Sequence, residues 1–409
     1  MLKKKNYLLT TIALVFGHVL FGQVYFEQLS KAEKIEDFNY LYRELKQSYP
    51  YFGINKRVYD TDWLSSRGKY LKQIRKSKNN EAFFKILNGI LNDLNNDHTD
   101  AYITSIYKYA YEGYKQAATQ NPAYKPYVEE LEKTDSIRSN YWKSINLELF
   151  FPEKQDASNT ISNPQAEVLE NIEINFIDSL STAIIKIKSF GYEYAEEDAD
   201  TLRYFFNKSY NYKNLIIDIQ GNDGGSTEYW QQNIVPHLIN DTINYPLVYA
   251  FKNSNRLKKF KPNYFKNTIT YQDINLPYMP KELRCGNYLF RRDSVTITPF
   301  LSSKKYIGNL YLLVDNEVFS SSEALAYFFK SSNFGTVAGI KTNGDGVGTD
   351  PLILTLPNSG IIIRFTGEMG LNPDGSANDE TKTVPDIIIN ASDKTERLNK
   401  LLKQIRQRE

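Results

Sequence analysis

The chain has 409 residues, too many for one small domain, and 41% of them are apolar, enough to build a substantial core. Fifty basic residues stand against 48 acidic ones with no basic stripe, which argues against nucleic acid as a partner. Cys285 is the only cysteine, so an internal disulfide, a cysteine-built zinc site and a thiol redox pair are excluded.

Lys3, Lys4 and Lys5 precede an apolar run from Tyr7 to Phe21 that ends at the small residue Gly22. The run is short for a membrane span, and the pattern reads as a secretory signal peptide over residues 1–22. The other reading is an uncleaved N-terminal anchor; no cysteine follows the run, so a lipid anchor is not expected. Cleavage would take the formal charge from +2 to −1. The expectation is an exported protein, periplasmic or extracellular, with no stable membrane insertion after cleavage and an unknown oligomeric state. Of the histidines, only His98 and His237 would remain, too few for a multi-histidine metal site. No metal and no organic cofactor is expected.

The segment from residue 23 to about 105 carries helical patterning, as in Ile35 to Tyr49 and Glu81 to Leu94. In the second run Phe83, Ile86, Leu87, Ile90, Leu91 and Leu94 recur at helical spacing. A polar turn, Asn92 to Thr99, holds His98. Residues 106–170 read as an irregular insertion or linker: Tyr107 to Lys115 is aromatic and polar without a clean period, and Asp156 to Pro164 has loop composition.

The texture changes from about residue 171. Ala183 to Ile187, Leu215 to Ile219 and Leu310 to Val314 read as strands, the last two as strands buried on both faces. Helical segments lie between them, over Asp198 to Tyr210, Thr227 to Leu238 and Ser322 to Lys330, which predicts βαβ units in an α/β core spanning 171–395. Leu352 to Leu356 and Ile361 to Phe365 flank a Pro-Asn-Ser-Gly turn and read as a hairpin. A charged helix closes the chain over about 396–409. No repeat or coiled coil is evident, which argues against an adhesin built of arrays.

Three features could carry chemistry. Gly221-Asn222-Asp223-Gly224-Gly225 follows a strand, and such a glycine turn can present N–H groups to an anion; it fits neither a Rossmann fingerprint nor a P-loop. Ser320-Ser321-Ser322-Glu323 opens a helix, where the dipole favours a developing negative charge. The plainer reading is helix capping. His98 is a candidate base for a serine, which is inert until its proton is taken; the plainer reading is an exposed loop residue. His237 reads as structural.

The order of these features resembles the tail-specific, or C-terminal processing, family of serine proteases. The resemblance is strongest over 183–390 and rests on LIIDIQGNDGG, YLLVDNEVFSSSEALAYFFKSSNFGTVAGIKTNG, LPNSG and VPDIII. It implies a crotonase/ClpP-like βαβ core behind an N-terminal helical subdomain, a peptide or protein substrate and no cofactor. It makes Ser320 the nucleophile, with the N–H of Ser321 and one from Gly224 or Gly225 forming the oxyanion hole. Many members carry a lysine base, but that position falls on Asp345 here, and Lys341 is separated from it by three residues that include a glycine turn. The chain is more similar to the tricorn-like branch, whose base is a histidine. NNDHT supplies His98, Glu380 before the closing Pro-Asp would orient it, with Asp379 the second choice, and Asp97 could assist. No peptide-binding PDZ unit is evident in residues 100–170. The expected function is an exported serine peptidase acting through an acyl-enzyme on Ser320. The alternative is an inactive peptide- or lipid-binding protein on the same scaffold. An esterase is disfavoured by the missing Gly-x-Ser-x-Gly elbow.

Overall fold

A computed structural model describes residues 28–143, 145, 170–284, 287–301 and 304–408. The signal segment 1–22, the loop 156–164 and Cys285 lie outside these described residues.

A six-stranded sheet organises the second half. Its strands, in spatial order, are Ile387–Ile388, Thr336–Gly339, Asn309–Val314, Asn214–Asp218, Thr182–Ile187 and Ile172–Ile177. All neighbours are parallel except the last pair. The central strands read as unbroken apolar runs because both faces are covered. Successive side chains alternate between faces. Ile216, Leu313 and Ile184 meet Leu401 and Ile405 of the C-terminal helix Lys394–Arg406 on one side. Ile185, Ile217 and Leu312 join the main core on the other. That second face is packed by the helices Ala199–Ser209, Thr227–Asn233 and Ser321–Ser331. The fold is thus the mixed α/β arrangement expected, with helices in front of the sheet-bearing core.

The front helices are Lys31–Ser48, Phe52–Tyr59, Arg67–Lys76 and Asn80–Asn92. Ser30 and Glu33 form a capping box at the first. The buried Asp37 carboxylate accepts the backbone N–H groups of Asn358 (2.8 Å) and Ser359 (2.9 Å), tying this helix to the turn between strands Leu352–Thr355 and Ile362–Phe365. Strand Ile362–Phe365 pairs antiparallel with the short strand Asp100–Ala101, and Arg364 clasps Asp100 at 2.8 Å. The residues just after His98 are therefore fastened to the hairpin that follows Asp345 in the chain.

Two regions differ from the sequence expectation. Residues 104–143, expected within an irregular insertion, form the helices Thr104–Gln120, Lys125–Glu132 and Asp135–Lys143. Tyrosines take the place of the aliphatic stripe: Tyr107 stacks on Tyr111, and Tyr114 on Tyr127 at 4.5 Å. The long pair Ile243–Lys252 and Tyr288–Ile297, joined antiparallel, was not read as strands, because Pro246 and the charges of Arg291, Arg292 and Asp293 mask the alternation.

Candidate active site

The sheet brings two loops side by side at the carboxyl ends of neighbouring strands. One follows Asn214–Asp218 and the other follows Asn309–Val314. Asp315 links them, accepting the N–H of Gly221 and of Glu317, each at 3.0 Å. Asn222 is fully buried and adds a second link. Its side-chain oxygen accepts from Gly224 N–H (3.0 Å) and from the Ser322 hydroxyl (2.6 Å), and its amide donates to Ile187 (3.2 Å). Gly224 has φ +113°, and a Cβ there would sit 2.9 Å from the Ser320 Cβ.

Ser320 occupies the turn into the helix Ser321–Ser331 with φ 55° and ψ −121°, a left-handed φ that costs a non-glycine residue energy and that surrounding contacts must enforce. Those contacts are Ser320 N–H to Gly344 O (3.3 Å) and Ala324 N–H to Ser320 O (2.9 Å). The Ser320 hydroxyl makes no helix-capping bond. Instead it lies 3.1 Å from His98 Nε2. Among the described residues the N–H groups of Ser321 and Gly225 have no hydrogen-bond acceptor, whereas the Gly224 N–H is held by Asn222.

His98 reaches Ser320 across 222 residues of sequence. Its ring packs on Phe319, with centroids 4.5 Å apart. On the other side Nδ1 lies 2.8 Å from Asp345 Oδ2. Asp345 also accepts from Asn96 (3.0 Å) and from the Tyr51 hydroxyl (3.3 Å). Burial would push its carboxyl up, but the positive charge His98 can carry and the bonds from His98, Asn96 and Tyr51 outweigh that and hold it below the usual carboxylate range. An ionised Asp345 is an acceptor only, so the proton sits on Nδ1 and the Nε2 lone pair faces Ser320.

The carboxylate expected at the imidazole was Glu380, and the geometry corrects this. Both Glu380 oxygens are taken by Arg57, at 2.8 and 2.6 Å. Asp379, the second choice, makes no bond to His98; burial first, then the nearby Asp345 charge, push its carboxyl well above the usual range. Asp97 accepts from Asn343 at 3.0 Å and does not hold the ring. Lys341 is exposed and makes no ion pair among the described residues. Sequence reasoning did not single out Asp345 as the hydrogen-bond partner of His98, although the position of the family's usual lysine falls on it. The signal available was that a carboxylate in place of a base demands a base from elsewhere. His237 lies apart, stacked on Phe206; burial, then Arg203, push it down to about 4.

Glu323 is fully buried in the first turn of the helix Ser321–Ser331, where Asn378 (2.9 Å) and Thr383 (2.7 Å) donate to one of its oxygens. It fastens the helix start to the segment on either side of Asp379. Among the described residues no group of three or more His, Cys, Asp or Glu side chains could hold a metal ion.

Asp218, at the end of the glycine-turn strand, gives a pH-dependent signature. Burial pushes its carboxyl up to about 6, from 3.8 in the unfolded chain, against the lowering bonds of Gln220. Between those values the native state binds more protons than the unfolded one. The stability this confers is full below about pH 3.8 and is lost as pH rises through about 6, a change of about 3 kcal/mol. Asp218→Asn should therefore gain stability relative to wild type between pH 4 and 7.5. An equal melting-temperature difference at both pH values would contradict the assignment.

The model of peptidase family S41 matches residues 181–389. Among solved structures, mature CPAF complexed with lactacystin aligns at 14% identity and TM-score 0.57, over 92% of this chain and 98% of that one. A candidate peptidase from Parabacteroides merdae ATCC 43184 aligns at 17% identity and TM-score 0.54, over 91% of this chain and 96% of that one. At such identities these likenesses are ones of fold. No curated protein sequence matches the chain.

Proposed function

The chain belongs to peptidase family S41, the tail-specific serine proteases, and from that premise we propose that it cleaves peptide bonds through an acyl-enzyme on Ser320, with His98 as general base and Asp345 orienting it. The observation that carries this reading is the unbroken line from Ser320 Oγ to His98 Nε2 (3.1 Å) and from His98 Nδ1 to Asp345 (2.8 Å).

Ser320 Oγ attacks the substrate carbonyl while Nε2 takes its proton. The resulting imidazolium is stabilised by Asp345. The oxyanion is received by the Ser321 N–H and a glycine-turn N–H; of Gly224 and Gly225, the two glycines that the sequence offered, Gly225 has the uncommitted donor. The C–N bond breaks as His98 returns the proton to the leaving amine. Water, deprotonated by the same imidazole, then releases the acyl group. A fluorophosphonate probe should form one adduct, mapped to the peptide containing Ser320 and absent from Ser320→Ala. An adduct elsewhere, or none on folded wild-type protein, would reject the reading, and none is what an inactive binding protein would give.

We also infer export. The support is the Lys3–Lys5 cluster and the apolar run after it; among the described residues no helix is long and apolar enough to cross a membrane. N-terminal sequencing of protein recovered from outside the cytoplasm should begin at Gln23, and recovery of an intact Met1 terminus would overturn this.

A further inference from the structure

We propose that Tyr109 and Tyr192 form an aromatic clamp at the mouth of the Ser320 site, which receives an aromatic side chain of the substrate close to the cleaved bond. The inference rests on the serine-peptidase reading above and adds a substrate class to it.

Tyr109 is 54% exposed and Tyr192 44% exposed, yet their rings lie 5.4 Å apart at an angle of 37°. The other tyrosines of helix Thr104–Gln120 are engaged within the front of the molecule. Tyr107 lies under the Arg138 guanidinium, Tyr111 donates to Glu132, and Tyr114 stacks on Tyr127. Tyr109 instead packs on Tyr192, at the surface of the sheet-bearing core.

The place where it does so matters. Tyr192 follows Phe190 and Gly191, which lie along the glycine turn. Phe190 N–H donates to Gly224 O (2.9 Å), Phe190 O accepts from Ser226 N–H (2.7 Å), and a Cβ on Gly225 would meet Gly191 N at 2.6 Å. Gly224 in turn abuts Ser320. With Cα atoms 3.8 Å apart along the chain, the Tyr192 Cα is within about 8 Å of the Phe190 Cα. Helix Thr104–Gln120 itself starts just past His98. The ring pair therefore joins the helix that follows the base-bearing segment to the segment that flanks the oxyanion turn. An extended peptide advances about 3.3 Å per residue, so a bound substrate that continues past the oxyanion turn carries side chains a few positions from the cleaved bond toward the pair. Tyrosine has two side-chain torsions and loses little entropy on gripping a ligand. The two rings already touch, so an aromatic guest packs on the faces they leave exposed.

The test is digestion of a proteome-derived peptide library with the full chain, cleavage sites being read by mass spectrometry. Wild type should show aromatic residues enriched about threefold or more within three positions of the cut. The double variant Tyr109→Ala/Tyr192→Ala should lose that enrichment while still cleaving peptides and still accepting the fluorophosphonate on Ser320. Tyr204→Ala, at a site 58% exposed on helix Ala199–Ser209, should keep it. A wild-type chain that labels and cleaves without aromatic preference, or a double variant that retains the preference, overturns the clamp alone. A folded wild-type chain that neither labels nor cleaves overturns the serine-peptidase reading beneath it.

Discussion

Asparagine in place of Asp345 is expected to lower kcat by about 10⁴ with little change in KM, because the amide cannot fix the imidazole tautomer that leaves Nε2 free to take the Ser320 proton. His98→Ala should cost at least as much, about 10⁴–10⁶, since it removes the base itself. The informative contrast is Glu380→Gln. Glu380 is bound by Arg57 in an ion pair whose side chains are 24% and 40% exposed, and such pairs contribute about 1 kcal/mol or less. Its removal should leave turnover within about fivefold of wild type. Steady-state kinetics on one fluorogenic peptide, with circular dichroism to check folding, decide the matter. A large loss at Glu380→Gln together with a mild one at Asp345→Asn would return the orienting role to the residue the motifs first suggested. The pair Asp345 and Asp379 adds a reason to expect the first outcome. Two neighbouring buried carboxyls do not both ionise readily. Here Asp345 is held low and Asp379 is raised, so the one facing the imidazole carries the charge.

Local sequence was enough wherever one short segment carries its own reason to be where it is. Leu215 to Ile219 and Leu310 to Val314 are apolar on both faces because helices cover both faces, and the strands follow from that alone. The turn at Gly224 is legible because a side chain there would collide with Ser320. His98 was a candidate by scarcity and by the motif around it, and the structure brings it to Ser320. What could not be read is what depends on capture by a distant partner. Glu380, in the short helix Asn378–Thr381, and Asp345, in a loop, are both acidic residues after the helix Ser321–Ser331. Arg57, from a helix 323 residues earlier in the chain than Glu380, takes one, and Asn96 and Tyr51 hold the other toward His98. No periodicity records such a choice. The helix Thr104–Gln120 was hidden for a related reason: its tyrosines pack by ring stacking across elements, which leaves no aliphatic period in the sequence.

Gly224→Ala is the second substitution with a large expected effect, and it probes the oxyanion side of the site while leaving all three residues of the proposed proton relay in the sequence. The added methyl would stand 2.9 Å from Phe319 O, 2.9 Å from Ser320 Cβ and 3.0 Å from Ser321 N. Two of these are rigid backbone atoms, so the turn must retreat. Retreat moves the glycine-turn donors away from Ser321 N–H, the donor opposite. The φ of +113° adds backbone strain for any residue with a Cβ. Loss of one oxyanion donor costs about 10²–10³ in kcat, and KM should change little, because the interaction is made with the transition state. Labelling by the fluorophosphonate should slow in the same proportion, as its phosphonyl oxygen uses the same donors. Gly89→Ala serves as the comparison. It lies in helix Asn80–Asn92 with no atom within 4 Å of the added methyl, so it should raise stability by up to about 1 kcal/mol and leave kcat unaltered. Should Gly224→Ala keep wild-type turnover, the glycine turn would be a structural bend only, and the negative charge of the tetrahedral intermediate would have to be met by the nucleophile helix alone.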